Sequence, residues 1–271
     1  SFLTRAVRYA MTSSHNDFAD LRLDVWGLKI VTFVIFVVIS AMLSRVEIFA
    51  ILHPDPWFSR QAASLRTALV SEAQVIPVEA GHWIYDAGED ASGLYGVLTG
   101  SVSIYIGMED ETAALVNIVG PGHIFGYTGR FLSGRRVATA VAREPGMLFY
   151  LPERGLEAIA RKLPDLWIRL AELSSFHVVS GFRLAVVNTR PAASRLASHL
   201  LQLAAQFAPS LSLPVTQDEL AEITGLSRKT VNRVLASFEA RGFLHTGYRT
   251  LEIADEKGLR QCVRAKAEGG A

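Results

Sequence analysis

Cationic and amide side chains are concentrated near the C-terminus, where they could bind a polyanion. Residues 227–249 contain five lysine and arginine residues and one acid, Glu239, although the 271-residue chain has a formal net charge of +1. Ammonium and guanidinium groups attract phosphates, and the forked guanidinium of arginine can donate two hydrogen bonds to guanine O6 and N7. The candidate DNA-binding side chains are those of Ser227, Arg228, Lys229, Thr230, Asn232 and Arg233.

The helical period places these side chains on one side of a short helix. At about 100° per residue, the three cations and Asn232 span roughly 140° of the circumference. The opposite arc is apolar, which predicts a helix that buries one face and exposes the other. The residues predicted on the buried face are Val231, Val234, Leu235 and Phe238.

Short signals around this helix predict a winged helix-turn-helix. Thr216 and Glu219 have the spacing of a capping box for a first helix, and Gly225 provides the turn to the second. Ser227 is a suitable N-cap for that second helix. The apolar alternation that follows predicts a two-stranded hairpin with Gly247 at its turn. A helix pair of this kind places its second helix in the major groove of DNA.

Upstream, a heptad pattern predicts one long helix with an apolar seam. The seam positions are spaced alternately three and four residues apart over about 25 residues, and such a seam is stable only when another surface covers it. We favour a second copy of the chain, and burial against the helix's own domain is the alternative. His177 and Ser180 are interpreted as register-setting positions or tolerated packing rather than metal ligands, and no metal site is predicted. The predicted dimer seam is Leu163, Leu166, Leu170, Leu173, His177, Ser180, Leu184 and Val187.

Short apolar runs separated by glycines predict a small all-β unit between residues 74 and 151. Residues 102–106 alternate faces as a half-buried strand does. Thr99 and Gly100 lie between two apolar runs, and we expect them to form a tight hairpin turn because glycine reaches positive φ without steric cost.

An apolar segment near the N-terminus leaves three alternatives open. Residues 25–44 reach the length of a membrane span if Lys29 snorkels from the edge of the run. The segment could anchor the chain to a membrane, or belong to an extension that precedes a true start at Met42. It could also form a helix packed on the folded body.

Most other chemical centres are excluded by composition. The single cysteine, Cys262, rules out an internal disulfide and a protein-only iron–sulfur or zinc site with four cysteines. The sequence contains no nucleophile–base pair, metal-ligand spacing or Walker-type phosphate loop, so an enzyme is not expected. Its length and its 50% apolar content predict about two domains with real cores.

The order of glycine-rich β unit, long helix and winged helix resembles the transcription regulators related to the cyclic AMP receptor protein and Fnr. The resemblance covers about residues 50–255, and its most specific part is the segment 226–235. It implies that Arg228 and Arg233 contact bases or phosphates. The family's usual glutamate is replaced by Lys229, so the resemblance implies a half-site different from the family's usual one.

The segment 122–138 resembles the phosphate-binding cassette of cyclic-nucleotide-binding domains. Tyr127 stands where that family has its ribose-binding glutamate, and the polar pair that reads adenine falls on Gly181 and Phe182. The resemblance therefore implies that cyclic AMP is not the effector. The iron–sulfur and haem sensing of relatives is not expected either, because their ligands are missing, and the effector is left unassigned. The effector pocket implied by the resemblance comprises Gly126, Tyr127, Thr128, Arg136 and Val137.

These observations predict an α+β fold with a jelly-roll-like β-roll, a long dimerisation helix and a winged helix-turn-helix. We expect a cytoplasmic, homodimeric transcription regulator that binds a palindromic operator in double-stranded DNA, with RNA polymerase as a further candidate partner. The alternative is a membrane-tethered sensor of cyclic-nucleotide type that does not act through DNA. The predicted divisions are an N-terminal extension at 1–45, an effector domain at 46–160, the dimerisation helix at 161–188, the DNA-binding domain at 189–255 and a C-terminal tail at 256–271.

Overall fold

The computed structural model describes residues 43–90, 93–107, 113–132 and 134–264. Most of the apolar N-terminal segment, residues 25–42, lies outside the described residues. In the described part of the chain, three short helices precede the first strand: α1 (Arg45–Leu52), α2 (Pro56–Arg60) and α3 (Ala63–Glu72). Asp55 caps α2 by accepting hydrogen bonds from the backbone of Trp57 and Phe58, and its second oxygen accepts one from Ile124 in the β unit.

Two four-stranded antiparallel sheets form a β-roll around a shared core. The strand order is β1-β8-β3-β6 in one sheet and β2-β7-β4-β5 in the other. Side chains from both sheets form one apolar cluster. The strands are β1 (Gln74–Val78), β2 (Trp83–Tyr85), β3 (Leu94–Thr99), β4 (Val102–Gly107), β5 (Ala113–Val119), β6 (Ile124–Phe125), β7 (Thr139–Ala142) and β8 (Gly146–Leu151).

The turn at Thr99 and Gly100 differs from the sequence prediction. The strands β3 and β4 belong to different sheets, so this turn is a crossover between sheets and not a hairpin. Gly100 has φ +78°, and a Cβ there would lie 3.1 Å from Gly146 Cα. The position therefore requires glycine, as expected, but for a connection of another kind.

Helices and a small sheet form the C-terminal unit. The sheet has the order β10-β11-β9, and the helices pack on it around a second apolar core. After α4 (Glu153–Lys162) the elements are α5 (Leu166–Val187), α6 (Ala192–Phe207), β9 (Ser212–Leu213), α7 (Gln217–Thr224), α8 (Arg228–Ala240), β10 (Leu244–Gly247), β11 (Thr250–Ile253) and α9 (Glu256–Arg264).

The predicted C-terminal tail begins as a helix. Asp255 accepts a hydrogen bond from Gly258 N at the start of α9, and Leu259 is fully buried in the core of the C-terminal unit. Arg190 donates to the carbonyl of Val263 and ties the end of α9 to the start of α6. The expectation of a tail from residue 256 is thus wrong for residues 256–264, because an amphipathic pattern there buries one face.

The long helix α5 is apolar on two opposite sides. Its inner face, centred on Leu166, Leu170 and Leu173, is buried in the core of its own chain, with each side chain at most 2% exposed. Leu163 precedes α5, in the connection after α4. Leu163 and these three leucines therefore do not belong to the dimer seam, contrary to the prediction. Leu163 is not on α5, and the buried leucines have no exposed surface for a partner.

The opposite side of α5, here called the outer face, is exposed. Taking about 100° per residue from Leu166, its apolar positions fall between roughly 160° and 220°. The helix is also long and apolar enough, by length and composition, to cross a membrane. Its apolar surface on this side remains without cover in the described part of a single chain. The outer face comprises Ile168, Ser175, Val179, Phe182 and Val186.

The C-terminal unit contacts the β-roll of the same chain. Arg143, between β7 and β8, forms an ion pair with Glu219 of α7 and donates to Ser103 Oγ at 3.2 Å. The backbone N–H of Leu115 in β5 donates to Glu222 Oε1 at 2.6 Å. Leu115 is also buried in the core of the C-terminal unit. The two units are therefore joined by both apolar and ionic contacts.

A polar bridge spans the connection between α5 and α6. Asn188 caps the end of α5, and its side-chain oxygen lies 3.2 Å from Arg195 Nε and 3.2 Å from His199 Nε2. His199 is only 3% exposed. Burial, with a further contribution from the charge of Arg195, lowers the pKa of His199 to about 4.

This buried histidine predicts a loss of stability in acid. The unfolded state takes up a proton near pH 6.5 and the folded state only near pH 4, so the stability present above pH 6.5 falls as the pH decreases. His199 contributes at most about 1.4 kcal/mol per pH unit to the slope in this window. Chemical unfolding at several pH values should show a steeper slope in the wild type than in His199→Gln, by up to this amount. Equal slopes would contradict the assignment.

Candidate nucleic-acid interface and effector pocket

The helix α8 exposes one polar face and buries the other. Ser227 caps its start, with Ser227 Oγ accepting from Thr230 N at 3.2 Å and lying 2.9 Å from Thr230 Oγ1. Ser227 and Thr230, both candidate DNA-binding residues, therefore form the N-terminal cap of α8. Lys229, Asn232 and Arg233 are exposed. The apolar face, with Val231, Val234, Leu235 and Phe238, is buried as expected.

The preceding helix is held at a defined angle by its caps. The predicted capping box is confirmed, since Thr216 Oγ1 accepts from Glu219 N while Glu219 Oε2 accepts from Thr216 N at 2.7 Å. Gly225 closes α7 with φ +61°, a conformation that favours glycine. The turn brings the first turn of α7 beside α8, where Asp218 Oδ1 lies 3.2 Å from Arg228 Nη1.

The hairpin of β10 and β11 forms a wing beside α8. Glu239 near the end of α8 accepts from Thr246 N at 2.9 Å and from its hydroxyl at 3.1 Å, and these bonds lower the pKa of Glu239. The turn lies at Tyr248 and Arg249, one residue beyond the predicted Gly247. Tyr248 is 91% exposed, and Arg249 has φ +55°. The wing thus presents an aromatic ring and a cation at its tip.

Two wing-tip residues and Asp218 were absent from the candidate DNA-binding set. Arg249 lies in the cationic segment 227–249, so the sequence indicates that it could contact DNA. Nothing in the sequence indicates a role for Asp218, because ten positions separate it from Arg228 and only the turn at Gly225 brings them together. This polar surface of cations, amide and aromatic ring can attract phosphates and donate to base edges.

The predicted effector pocket is lined by aromatic side chains. Gly126, at the end of β6, has φ +90°, and a Cβ there would lie 2.9 Å from the ring of Tyr95 and 3.2 Å from that of Tyr85. Arg136 is 5% exposed, and its guanidinium carbon lies 4.2 Å from the ring centroid of Tyr85. A cation over an aromatic face in a buried site is a stabilising arrangement. Phe125 packs against both tyrosines.

Tyr127 connects the predicted pocket to the long helix. Its hydroxyl shares a hydrogen bond of 2.7 Å with His177 Nδ1 on the inner side of α5. Burial raises the pKa of Tyr127, so the phenol stays neutral. A short 3₁₀ helix (Thr128–Phe131) follows, and Arg130 of this helix lies 4.5 Å from the ring centroid of Trp167. Side chains of the protein thus join this loop to α5 at two points.

The remaining pocket and helix candidates are dispersed around a groove. Thr128, Val137 and His177 border a groove of about 1600 Å³ between the β-roll, α5 and α6. Val137 is 44% exposed, whereas Tyr127 and Arg136 are buried. The groove also contains the last three residues of the predicted seam, which are Ser180, Leu184 and Val187. Among the described residues, no group of three or more histidine, cysteine, aspartate or glutamate side chains could hold a metal ion.

Two family models match the chain in its two units. The model of the cyclic nucleotide-binding domain matches residues 75–162, and the model of the Crp-like helix-turn-helix domain matches residues 194–262. These ranges coincide with the β-roll followed by α4, and with the C-terminal unit from α6 to α9.

Named relatives share this arrangement. The chain is 32% identical over 185 residues to the cyclic AMP receptor protein of Thermus thermophilus, covering 67% of this chain and 84% of the relative. It is 27% identical over 230 residues to the CRP-like cAMP-activated global transcriptional regulator of Mycobacterium tuberculosis, covering 82% and 99%. The FixK2 structure from Bradyrhizobium japonicum has the same fold, with a TM-score of 0.63, 22% identity, and coverage of 72% and 99%.

The fold, the capped helix pair with its exposed cations, and these similarities agree with one another. The relative from Mycobacterium tuberculosis is named as a global transcriptional regulator, and neither of the two named relatives is named as an enzyme. The chain therefore belongs to the Crp/Fnr family of transcription regulators.

Proposed function

We propose that this regulator binds a palindromic operator in double-stranded DNA as a homodimer, through the polar face of α8. The observation that carries the proposal is that Arg228, Lys229 and Arg233 are all exposed on one side of a helix whose other side is buried. Phosphate attraction supplies affinity, and bidentate arginine contacts to guanine supply base preference. Lys229 adds a cation where relatives are expected to carry an acceptor, so the preferred half-site differs from theirs.

The outer face of α5 supports dimerisation through this helix. Phe182 and Val186 are 68% and 60% exposed, and the outer face carries no charged residue. A second copy would cover these side chains by pairing two α5 helices. Pairing α5 with a second copy would place two α8 helices on one side of the dimer, about 34 Å apart on successive turns of DNA.

The β-roll is proposed to act without cyclic AMP. The guanidinium of Arg136, the expected phosphate partner, is enclosed beside Tyr85 and Tyr95. Tyr127 takes the place of a ribose-binding carboxylate and bonds to His177. Cyclic AMP would therefore lose several hydrogen bonds and would have to displace aromatic packing. We assign no iron–sulfur or haem cofactor, and the chemical identity of an effector is left open.

The cellular setting follows from the proposed DNA binding. A chain that reads an operator acts in the cytoplasm, where RNA polymerase is a further candidate partner, and it needs no enzymatic activity. The membrane-tethered sensor is the second candidate function, supported by the apolar composition of residues 25–44. Such a sensor does not need the polar face of α8 or the wing beside it, so we favour the regulator.

Replacing the two arginines of α8 tests the DNA interface. Where an arginine reads a guanine, its change to alanine should cost about 1–3 kcal/mol and relax preference at one base pair of each half-site. Lys229→Glu should instead shift the preferred half-site. Binding-site selection and fluorescence anisotropy measure both effects for Arg228→Ala and Arg233→Ala. Arg260→Ala on α9 is the matched control and should change neither. An unchanged consensus in all three α8 variants would refute the placement of α8 in the groove.

Changing the outer face of α5 tests the dimer. Phe182→Asp should place like charges opposite each other in an apolar interface and convert the dimer to monomers in light scattering. Leu211→Asp alters another exposed apolar side chain, before β9, and should leave the dimer intact. Leu170→Ala should mainly lower the free energy of unfolding, by about 2–5 kcal/mol, because it opens a cavity in the core. A dimer that persists in Phe182→Asp would show that another surface pairs.

Calorimetry tests the effector proposal. Cyclic AMP and cyclic GMP should bind weakly or not at all, and the DNA affinity should be the same with and without either nucleotide. Micromolar binding of either one, equivalent to about −8 kcal/mol, would show that the aromatic packing around Arg136 opens for the ligand.

A further inference from the structure

One acid lies among the cations that face the proposed DNA. Asp218, in the first turn of α7, pairs with Arg228 at 3.2 Å, and both side chains are about two-thirds exposed, at 66% and 65%. Among the ion pairs of the described residues, this is the one that involves a cation of α8. An exposed pair of this kind contributes little to folding. Its place at the interface therefore suggests a role in binding rather than in stability.

We propose that Asp218 is a positioning residue that sets the DNA specificity of Arg228. The inference rests on the proposed function. A guanidinium is planar and carries five N–H donors, so Arg228 can give one edge to Asp218 and keep another for a guanine. The carboxylate limits the side chain to fewer rotamers. An arginine held in this way loses less conformational freedom when it binds its base.

The same carboxylate weakens binding to the wrong DNA. Non-specific affinity comes almost entirely from contacts between cations and phosphates. Asp218 occupies Arg228, so this cation is less available to a phosphate, and its own negative charge repels the backbone. Specificity is a difference between two affinities, and a repulsive group can increase it as well as an attractive one. The acid lowers the affinity for both kinds of DNA, but Arg228 recovers the loss only where it meets a guanine.

The surroundings of the pair strengthen this effect in the complex. Asp218 and Arg228 border a recess of about 270 Å³ that is also lined by Tyr248 and Arg249 of the wing tip. Three elements that face the proposed DNA therefore meet at the pair. A duplex that covers the recess removes water, and an ion pair is stronger in the lower dielectric that results.

The variant Asp218→Asn tests the proposal with little change in shape. Asparagine is accepted in the first turn of a helix, so we expect the full-length variant to fold. Anisotropy titrations should use a duplex from site selection and a scrambled duplex of equal length, over a range of salt concentrations. We expect about 3- to 10-fold tighter binding to the scrambled duplex and a salt dependence steeper by about one phosphate contact per protomer. The selectivity ratio should fall about tenfold, and the base pair read by Arg228 should be less strictly selected.

Two controls separate this role from a general charge effect. Glu256→Gln removes the same charge from another exposed pair, with Arg260 on α9, and should leave the selectivity ratio unchanged. In an Arg228→Ala background, Asp218→Asn should have little further effect on the ratio. The proposal is overturned if Asp218→Asn changes the affinities for both duplexes equally, or if it lowers the selectivity ratio equally in the Arg228→Ala background. The proposed function fails separately, if the wild type binds the two duplexes with equal affinity.

Discussion

The burial of the inner face of α5 is the contact on which the rest of the structure depends. Leu166, Leu170 and Leu173 are buried with α1, α2, α3 and the β-roll in one core, and the indole of Trp57 donates to the carbonyl of Arg169 at 2.7 Å. Because this face is used within the chain, the opposite apolar face is the one available to a partner. The direction of α5 then determines where the C-terminal unit begins.

Polar contacts then set the position of the C-terminal unit. Asn188 bridges α5 and α6, while Arg143 and Glu219 join the β-roll to α7. Glu219 also forms the capping box of α7 with Thr216. The helix that orients α8 is thus held by a residue in contact with the β-roll. Arg143 and the buried Leu115 thus connect the β-roll to the unit that carries the proposed DNA interface.

In the predicted effector pocket, the protein's own side chains contact one another. Tyr85 and Tyr95 enclose Arg136, and Tyr127 bonds to His177 across the gap to α5. Each of these residues is an ordinary tyrosine, arginine or histidine in the sequence. We propose that their combination links the β-roll to α5 without a cyclic nucleotide. This proposal depends on distances between side chains, which cannot be read from the spacing of the residues along the sequence.

Local signals in the sequence were sufficient for the elements with short-range causes. The capping box at Thr216, the glycine turn at Gly225 and the two faces of α8 depend on residues within a few positions of one another, so periodicity and cap chemistry predicted them. Contacts between distant residues needed the tertiary structure. The heptad pattern predicted that α5 is apolar, and from it we predicted that the leucine side forms the dimer seam. In the structure this side is buried in the same chain, because a periodic pattern does not indicate which partner covers an apolar face. The sheet change at Gly100 and the pairing of Asp218 with Arg228 likewise arise only when the fold brings separate segments together.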